Sequence, residues 1–170
     1  EVSLPNLTTL SGNLSAVDAA GLRVLQANAL NAIGGQLVVS GNTELQTLSL
    51  PDTVAVAGDV SVVDNTLLEA LGLDTLSTVG GHLTVGGSPL VEGLDLHRLL
   101  DVEGDFAISG MDGLLTLRSM GTVDSVGGVL HISANAGLLD VDGFDRLTSV
   151  GGLQVEANPS LETLAGFFLL

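Results

Sequence analysis

A glycine recurs at nearly constant spacing along the whole chain. It stands at Gly12, Gly35, Gly58, Gly81, Gly104, Gly128 and Gly152. The successive steps are 23, 23, 23, 23, 24 and 24 residues. A fixed period between about 20 and 50 residues is typical of repeat proteins, in which each unit packs only against its neighbours. The spacing therefore predicts one domain, residues 1–170, made of about seven stacked coils.

Aliphatic residues fall into columns when the chain is aligned on these glycines. Each glycine is followed by two apolar residues in alternation, such as Leu37 and Val39. This period of two predicts a strand with one buried face, and copies of that strand would form a long parallel sheet. A second aliphatic column, which includes Leu48 and Leu71, predicts a shorter second strand.

A polar turn position follows most of the alternating pairs. It is occupied by Asn42, Asn65, Ser88, Asn135 and Asn158. Asparagine tolerates left-handed backbone geometry, and its amide can hydrogen-bond to the turns above and below. The repeated glycine predicts either a positive φ or an approach of neighbouring coils too close for a Cβ.

These columns predict a mainly β fold, a right-handed parallel β-solenoid with little helix. Strands about 4.8 Å apart would give a rod roughly 30–35 Å long. The alanine-rich stretch 15–33 is compatible with a short helix, but Leu22, Leu25, Leu30 and Ile33 keep the phase of the repeat. We therefore interpret it as a degenerate first coil.

Three segments carry a resemblance to a known family. They are Val79–Val85 (VGGHLTV), Val126–Asn135 (VGGVLHISAN) and Leu147–Leu161 (LTSVGGLQVEANPSL). These segments resemble receptor L-domain-type, leucine-rich-repeat-like solenoids of the bacterial type. The resemblance implies an extracellular protein that recognises partners rather than catalyses. The disulfide-rich modules of the animal receptors have no counterpart in a chain without cysteine, so a receptor role is not implied.

The chain is strongly acidic, with a net charge of −16 from 20 acidic and 4 basic residues. Nucleic acid and anionic membranes are poor partners for such a surface. We expect the charge to keep the protein soluble and to suppress association of strand edges. No segment predicts membrane insertion, and no aromatic platform for sugars or bases is expected without Trp or Tyr.

Calcium binding is the sharper interpretation of the acidity. Asp101, Glu103 and Asp105 alternate along one segment, and a second cluster contains Asp140, Asp142 and Asp145. Neither segment matches an EF-hand loop or the glycine-rich calcium repeat. We therefore expect no cofactor and keep calcium as the weaker alternative.

A trio of polar residues is a separate candidate for a reactive or metal-binding site. Asp59, His82 and Asp105 directly follow repeat glycines and would face outward on consecutive coils, roughly 5 Å apart. Such spacing suits a weak metal site or an acid–base histidine. The alternative is an exposed polar ladder, which we favour because no nucleophile, oxyanion donor or pocket is evident. The near-uniform coil length leaves no long loop to wall a cleft and predicts a protein that is not an enzyme.

The two ends of the repeat array carry the functional hypothesis. Solenoid ends normally need polar caps, and here both ends are apolar and enter the repeat in mid-coil. The residues concerned are Val2, Leu4, Leu7, Leu10, Phe167, Phe168, Leu169 and Leu170.

We consider two explanations for these apolar ends. Either copies stack head to tail into a fibre or surface appendage, or the sequence is a window from a longer repeat protein whose flanking coils supply the caps. The first explanation predicts an extracellular structural homopolymer. The alternative function is a cell-surface adhesion module that recognises a protein or glycan with its outward sheet face. Asn6 and Asn13 lie in glycosylation sequons, which we attribute to chance.

Overall fold

The protein folds as a parallel β-solenoid of about seven turns in the computed structural model, which describes residues 1–120 and 122–170. The described residues contain strands, turns and bends but no helix. They therefore offer no helix of the length and apolarity needed to cross a membrane.

Nineteen strands are present in the described residues. In chain order they are β1 (Val2–Ser3), β2 (Thr9–Leu10), β3 (Leu14–Val17), β4 (Val24–Gln26), β5 (Ala32–Ile33), β6 (Leu37–Ser40), β7 (Thr47–Ser49), β8 (Ala55–Val56), β9 (Val60–Val63), β10 (Ala70–Gly72), β11 (Thr78–Val79), β12 (Leu83–Gly86), β13 (Asp101–Val102), β14 (Phe106–Ser109), β15 (Thr116–Leu117), β16 (Ser125–Ser133), β17 (Asp140–Val141), β18 (Ser149–Glu156) and β19 (Thr163–Leu164).

The long parallel sheet has twelve strands and lies on both sides of the repeated glycine. Two-residue strands precede the glycine in five coils, and four-residue strands follow it. The longer strands β16 and β18 run through the glycine position and join the two ladders. The register is one coil per step, so Leu83 pairs with Val60 below and Phe106 above. The prediction of a long parallel sheet is confirmed.

The shorter strands form two separate sheets on another face of the coil. One sheet has the order β1-β4-β7-β10, and the other has the order β15-β17-β19. The column of Leu48 and Leu71 lies in these strands, as the sequence predicts. Gly93 and Leu94 occupy the equivalent position between the two sheets and form no strand.

The first coil follows the repeat rather than forming a helix. Strands β3, β4 and β5 come from the alanine-rich stretch and pair in register with the next coil. Leu25 lies beside Leu48, and Ile33 lies beside Val56. The interpretation of this stretch as a first coil is confirmed.

Stacked aliphatic columns fill the interior of the rod. The alternating residues of β6, β9, β12 and β14 point inward and are fully buried. Three phenylalanines extend the core toward the last coil. The Phe106 and Phe144 rings lie 6.5 Å apart edge to face, and the Phe144 and Phe167 rings stack at 5.3 Å. Each coil thus covers the apolar face of the next, which no single coil could bury.

A buried polar residue interrupts one aliphatic column. Thr53 occupies the position that Leu30 and Leu76 hold in the neighbouring coils, and it is fully buried. Its hydroxyl donates to the Leu30 carbonyl at 2.7 Å. This hydrogen bond satisfies the hydroxyl, so a threonine can replace leucine there.

The left-handed backbone conformation lies one residue before the polar turn column, not on the asparagines themselves. Positive φ angles occur at Asp18, Gly41, Asp64, Gly87, Gly110, Ala134 and Ala157. The asparagine that follows is therefore free to point its side chain into the stack. At Ala134 and Ala157 a Cβ is held at φ of 54° and 52°, which is unfavourable for an L residue.

Candidate functional site

A ladder of side chains bonds one coil to the next directly beside the repeated glycine. In four coils the residue after the glycine accepts a hydrogen bond from the backbone N–H of its equivalent one coil later, whereas Gln36 donates its side-chain amide to Asp59 Oδ2 at 2.9 Å. Asn13 Oδ1 accepts from Gln36 N at 2.9 Å, and Asp59 Oδ1 accepts from His82 N at 2.9 Å. Asp105 Oδ1 accepts from Val129 N at 2.7 Å. We call the residues Asn13, Gln36, Asp59, His82 and Asp105 the polar ladder.

The polar ladder and the backbone of the preceding coil together leave no room for a Cβ at Gly35, Gly81, Gly104 and Gly128. The accepting side chain passes over the glycine of the next coil on its way to the following N–H. A Cβ on Gly81 would overlap with Asp59 Oδ1, and a Cβ on Gly104 would lie 2.8 Å from His82 Nδ1. The repeat glycines are among the described residues and none of them has a positive φ. Of the two predicted reasons for the glycine, close approach is therefore the one the structure shows.

His82 is held as a hydrogen-bond acceptor within the polar ladder. Its Nδ1 accepts from Asp105 N at 2.9 Å, so the neutral ring carries its proton on Nε2. The same Nδ1 lies 3.3 Å from Asp105 Oδ2. Because Nδ1 is already an acceptor, this second contact is not a hydrogen bond of the neutral ring.

The trio Asp59, His82 and Asp105 lies on consecutive coils, as the sequence predicts. Each of the three bonds to the coil above rather than toward a common centre. Among the residues that the structure describes, no group of three or more His, Asp or Glu side chains is placed to hold a metal ion. The trio thus has a clear structural role, which is to link the coils through backbone N–H groups.

A shallow hollow of about 310 Å³ lies beside the trio on the outward side of the sheet. Its lining comprises His82, Thr84, Asp105, Ala107, Val129, His131 and Gln154. His131 Nε2 lies 3.2 Å from Glu156 Oε1 at its edge. Asp59 does not line this hollow, which therefore adjoins His82 and Asp105 but not the whole trio.

A larger groove of about 850 Å³ follows the strands that precede the glycine. Small residues such as Ala32, Ala55 and Gly80 form much of its lining, and Asp101 and Glu103 lie toward one end. Asp101 Oδ1 accepts from Ser125 Oγ at 2.8 Å. Asp105 belongs to the polar ladder instead. The three acidic residues that alternate in the sequence therefore do not lie together: Asp101 and Glu103 line the groove, and Asp105 does not.

The second acidic cluster is partly neutralised by an arginine. Arg118 Nε donates to Asp140 Oδ2 at 2.9 Å, and Arg118 Nη2 contacts the same oxygen. This hydrogen bond and the charge of Asp140 raise the pKa of Arg118 above its ordinary value. Asp142 and Asp145 lie exposed in the following turn.

The two end faces expose residues whose equivalents are buried elsewhere. Val2 is 42% exposed, whereas Leu25 in the same column one coil later is 2% exposed. Leu4, Leu7, Leu10 and Phe167 are half-buried and pack against the core. Phe168 is 77% exposed, and Leu169 and Leu170 also lie largely in solvent. Of the eight apolar residues named from the sequence, Val2, Phe168, Leu169 and Leu170 are thus exposed, and the other four are partly buried against the core.

An exposed row of leucines was missed in the sequence. Leu67, Leu90, Leu115 and Leu139 lie on four consecutive coils and are between 40% and 53% exposed. We call these four residues the leucine stripe. Its signal is a leucine directly beside the buried column of Leu68, Val91, Leu114 and Leu138, at a position where a half-buried strand would carry a polar residue.

The structure establishes a parallel β-solenoid. A fold alone does not define a function, so any statement about function has to come from the surfaces described above. Comparisons with protein-family models, with curated proteins and with solved structures found no match for this chain.

Proposed function

We propose that this protein is a non-enzymatic extracellular structural protein of L-domain-like class. In this proposal it is the subunit of a fibre or surface appendage, and copies stack head to tail along the solenoid axis. The observation that carries the proposal is the pair of apolar end faces, each of which leaves core columns in contact with solvent. Contiguous exposed apolar surface of this kind marks an interaction site.

The two end faces present the same columns. Val2 and Leu164 belong to one column, because β1 begins the register that β19 ends. By the same register, Leu4 corresponds to Phe167 and Leu7 to Leu170. The first coil of a second copy can therefore stack on the last coil of the first copy. Contact between unlike ends of this kind generates an open assembly.

The strand edges support the same arrangement. β1 is an outer strand of the four-stranded sheet, and β19 is an outer strand of the three-stranded sheet. Unpaired edges are sites at which a further strand can add. Parallel pairing of β19 with β1 of the next copy would satisfy both edges and bring Leu164 beside Val2.

Assembly of the purified protein tests this proposal. We expect light scattering after size exclusion to show species that lengthen with concentration, and electron microscopy to show unbranched fibres. Phe168→Asp with Leu170→Asp should abolish the fibres by placing charge in the contact. Leu100→Asp is the control, because Leu100 is also an exposed apolar residue but lies on the side of the rod. Finding only monodisperse monomers at high protein concentration would refute the proposal.

A second candidate function is favoured by the groove of about 850 Å³ on the outward side of the long sheet. In this alternative the protein is a cell-surface adhesion module, and the groove receives a segment of a protein or glycan. Concave, mainly apolar surfaces with a few polar groups are typical ligand sites. Ala55→Arg would fill the groove, so glycan-array binding that this substitution removes would favour adhesion over assembly.

A further inference from the structure

The leucine stripe consists of two pairs of exposed leucines, in two different columns on the side of the rod. Leu67 and Leu90 precede the buried column in coils three and four, and Leu115 and Leu139 follow it in coils five and six. Leu139 N donates to the Leu115 carbonyl at 2.9 Å, which fixes these two residues side by side. With coils about 4.8 Å apart, the stripe spans about 14 Å along the rod axis, and it shifts sideways by two residues between Leu90 and Leu115.

Carboxylates border the leucine stripe. Glu69 and Glu92 occupy the column that Leu115 and Leu139 continue, and Asp112 lies in the turn just before Leu114. All three are exposed, and within the described part of the chain none of them forms an ion pair. The stripe is thus an apolar strip with an uncompensated acidic rim.

We infer that the leucine stripe is a docking surface for a partner polypeptide whose apolar side chains are flanked by lysine or arginine. An apolar centre with a charged rim is the usual anatomy of a protein interface, and charge complementarity selects the partner. A second copy of this chain would bring like carboxylates together and carries a charge of −16 itself. This inference concerns the side of the rod and does not depend on assembly through its ends.

A model peptide tests the inference directly. The probe is a fluorescent peptide of alternating leucine and lysine, and the control peptide alternates serine and lysine. We expect the leucine–lysine peptide to bind, and Leu90→Ser with Leu115→Ser to raise its Kd at least about tenfold. Val54→Ser with Leu100→Ser is the matched control, since these residues are about equally exposed on another column. That control should change Kd less than about twofold.

The acidic rim has its own readout. The double substitution Glu69→Gln, Glu92→Gln should weaken binding of the leucine–lysine peptide. It should also reduce the dependence of Kd on salt concentration, because the charges that salt would screen have been removed. Leu139→Lys should also weaken binding by repelling the peptide, and it keeps the test valid if the double serine variant does not fold.

Several results would overturn the inference. One is equal loss of affinity in both double serine variants, and another is equal binding of the serine–lysine peptide. Dimerisation that disappears in the Leu90→Ser, Leu115→Ser variant would assign the stripe to a second copy instead. Binding to phosphatidylcholine vesicles without binding to the peptide would assign it to a lipid surface.

Discussion

At the scale of single residues, the repeated position is glycine because residues of the preceding coil occupy the space that a Cβ would need. The polar residue of that coil needs a path over the glycine to reach the next N–H. The sequence shows the glycine and the polar residue but not which of them constrains the other. The three-dimensional structure shows that the side chain and the backbone of the preceding coil, rather than a left-handed φ, exclude a Cβ.

The glycines differ in their predicted sensitivity to substitution. Gly81→Ala should lower the free energy of unfolding by about 1–3 kcal/mol, because its Cβ would overlap with Asp59. Gly152→Ala should change it by less than about 0.5 kcal/mol, since the nearest atom to its Cβ is Val129 Cγ2 at 3.4 Å. Urea unfolding of both variants measures the difference, and equal losses would refute the polar-ladder explanation.

The two alanines in left-handed conformation predict stabilising substitutions. Ala134→Gly and Ala157→Gly should each raise the free energy of unfolding by up to about 1 kcal/mol, because glycine adopts positive φ without strain. Ala107→Gly is the control in a regular strand and should destabilise by about 0.5–1 kcal/mol. Thermal unfolding followed by circular dichroism reports all three. A lower midpoint for Ala134→Gly would contradict the assigned backbone geometry.

At the scale of structural elements, the buried asparagines tie the turns into two short ladders. Asn135 Oδ1 accepts from Met111 N at 3.0 Å, and its Nδ2 donates to the Ile108 carbonyl at 3.1 Å. Asn42 and Asn65 form the equivalent pair near the other end. Ser88 and Met111 hold the column between them, so the asparagine ladder is interrupted in the middle of the rod.

Removing one asparagine should therefore be costly. Asn135→Ala removes the side chain that accepts from the Met111 N–H and donates to the Ile108 carbonyl. It should lower the free energy of unfolding by about 3 kcal/mol. Asn31→Ala is an exposed control, expected to cost less than about 0.5 kcal/mol. Urea unfolding measures both, and a similar small loss at both positions would show that the ladder contributes little.

The elements that the sequence predicted are those that bury a regular column. Alternation of residues such as Leu37 and Val39 is sufficient to predict a half-buried strand and its register. Other features depend on three-dimensional contacts that periodicity does not encode. The absence of a described strand at Gly93 and Leu94 and the hollow over Ala107 belong to this second kind. The leucine stripe was missed because, in doublets such as Leu138–Leu139, the sequence alone does not show which of the two leucines is buried and which is exposed.

At the scale of the whole molecule, net charge opposes the proposed stacking. Each subunit carries −16, so apolar contact between end faces competes with repulsion between whole rods. Raising salt from about 10 mM to about 150 mM shortens the Debye length from about 30 Å to about 8 Å. The critical concentration for assembly, measured by sedimentation, should fall several-fold over this range. A critical concentration that rises with salt would show that charge pairs rather than apolar columns hold the contact.

Helical reconstruction of the assembled protein by electron cryomicroscopy tests the central claim most directly. About seven turns at about 4.8 Å predict a fibre with an axial subunit repeat of roughly 35 Å and strands perpendicular to its axis. The contact should join β19 of one copy to β1 of the next. Fibres built through the sides of the rods would contradict head-to-tail stacking. Finding only unassembled particles at high protein concentration would also contradict it.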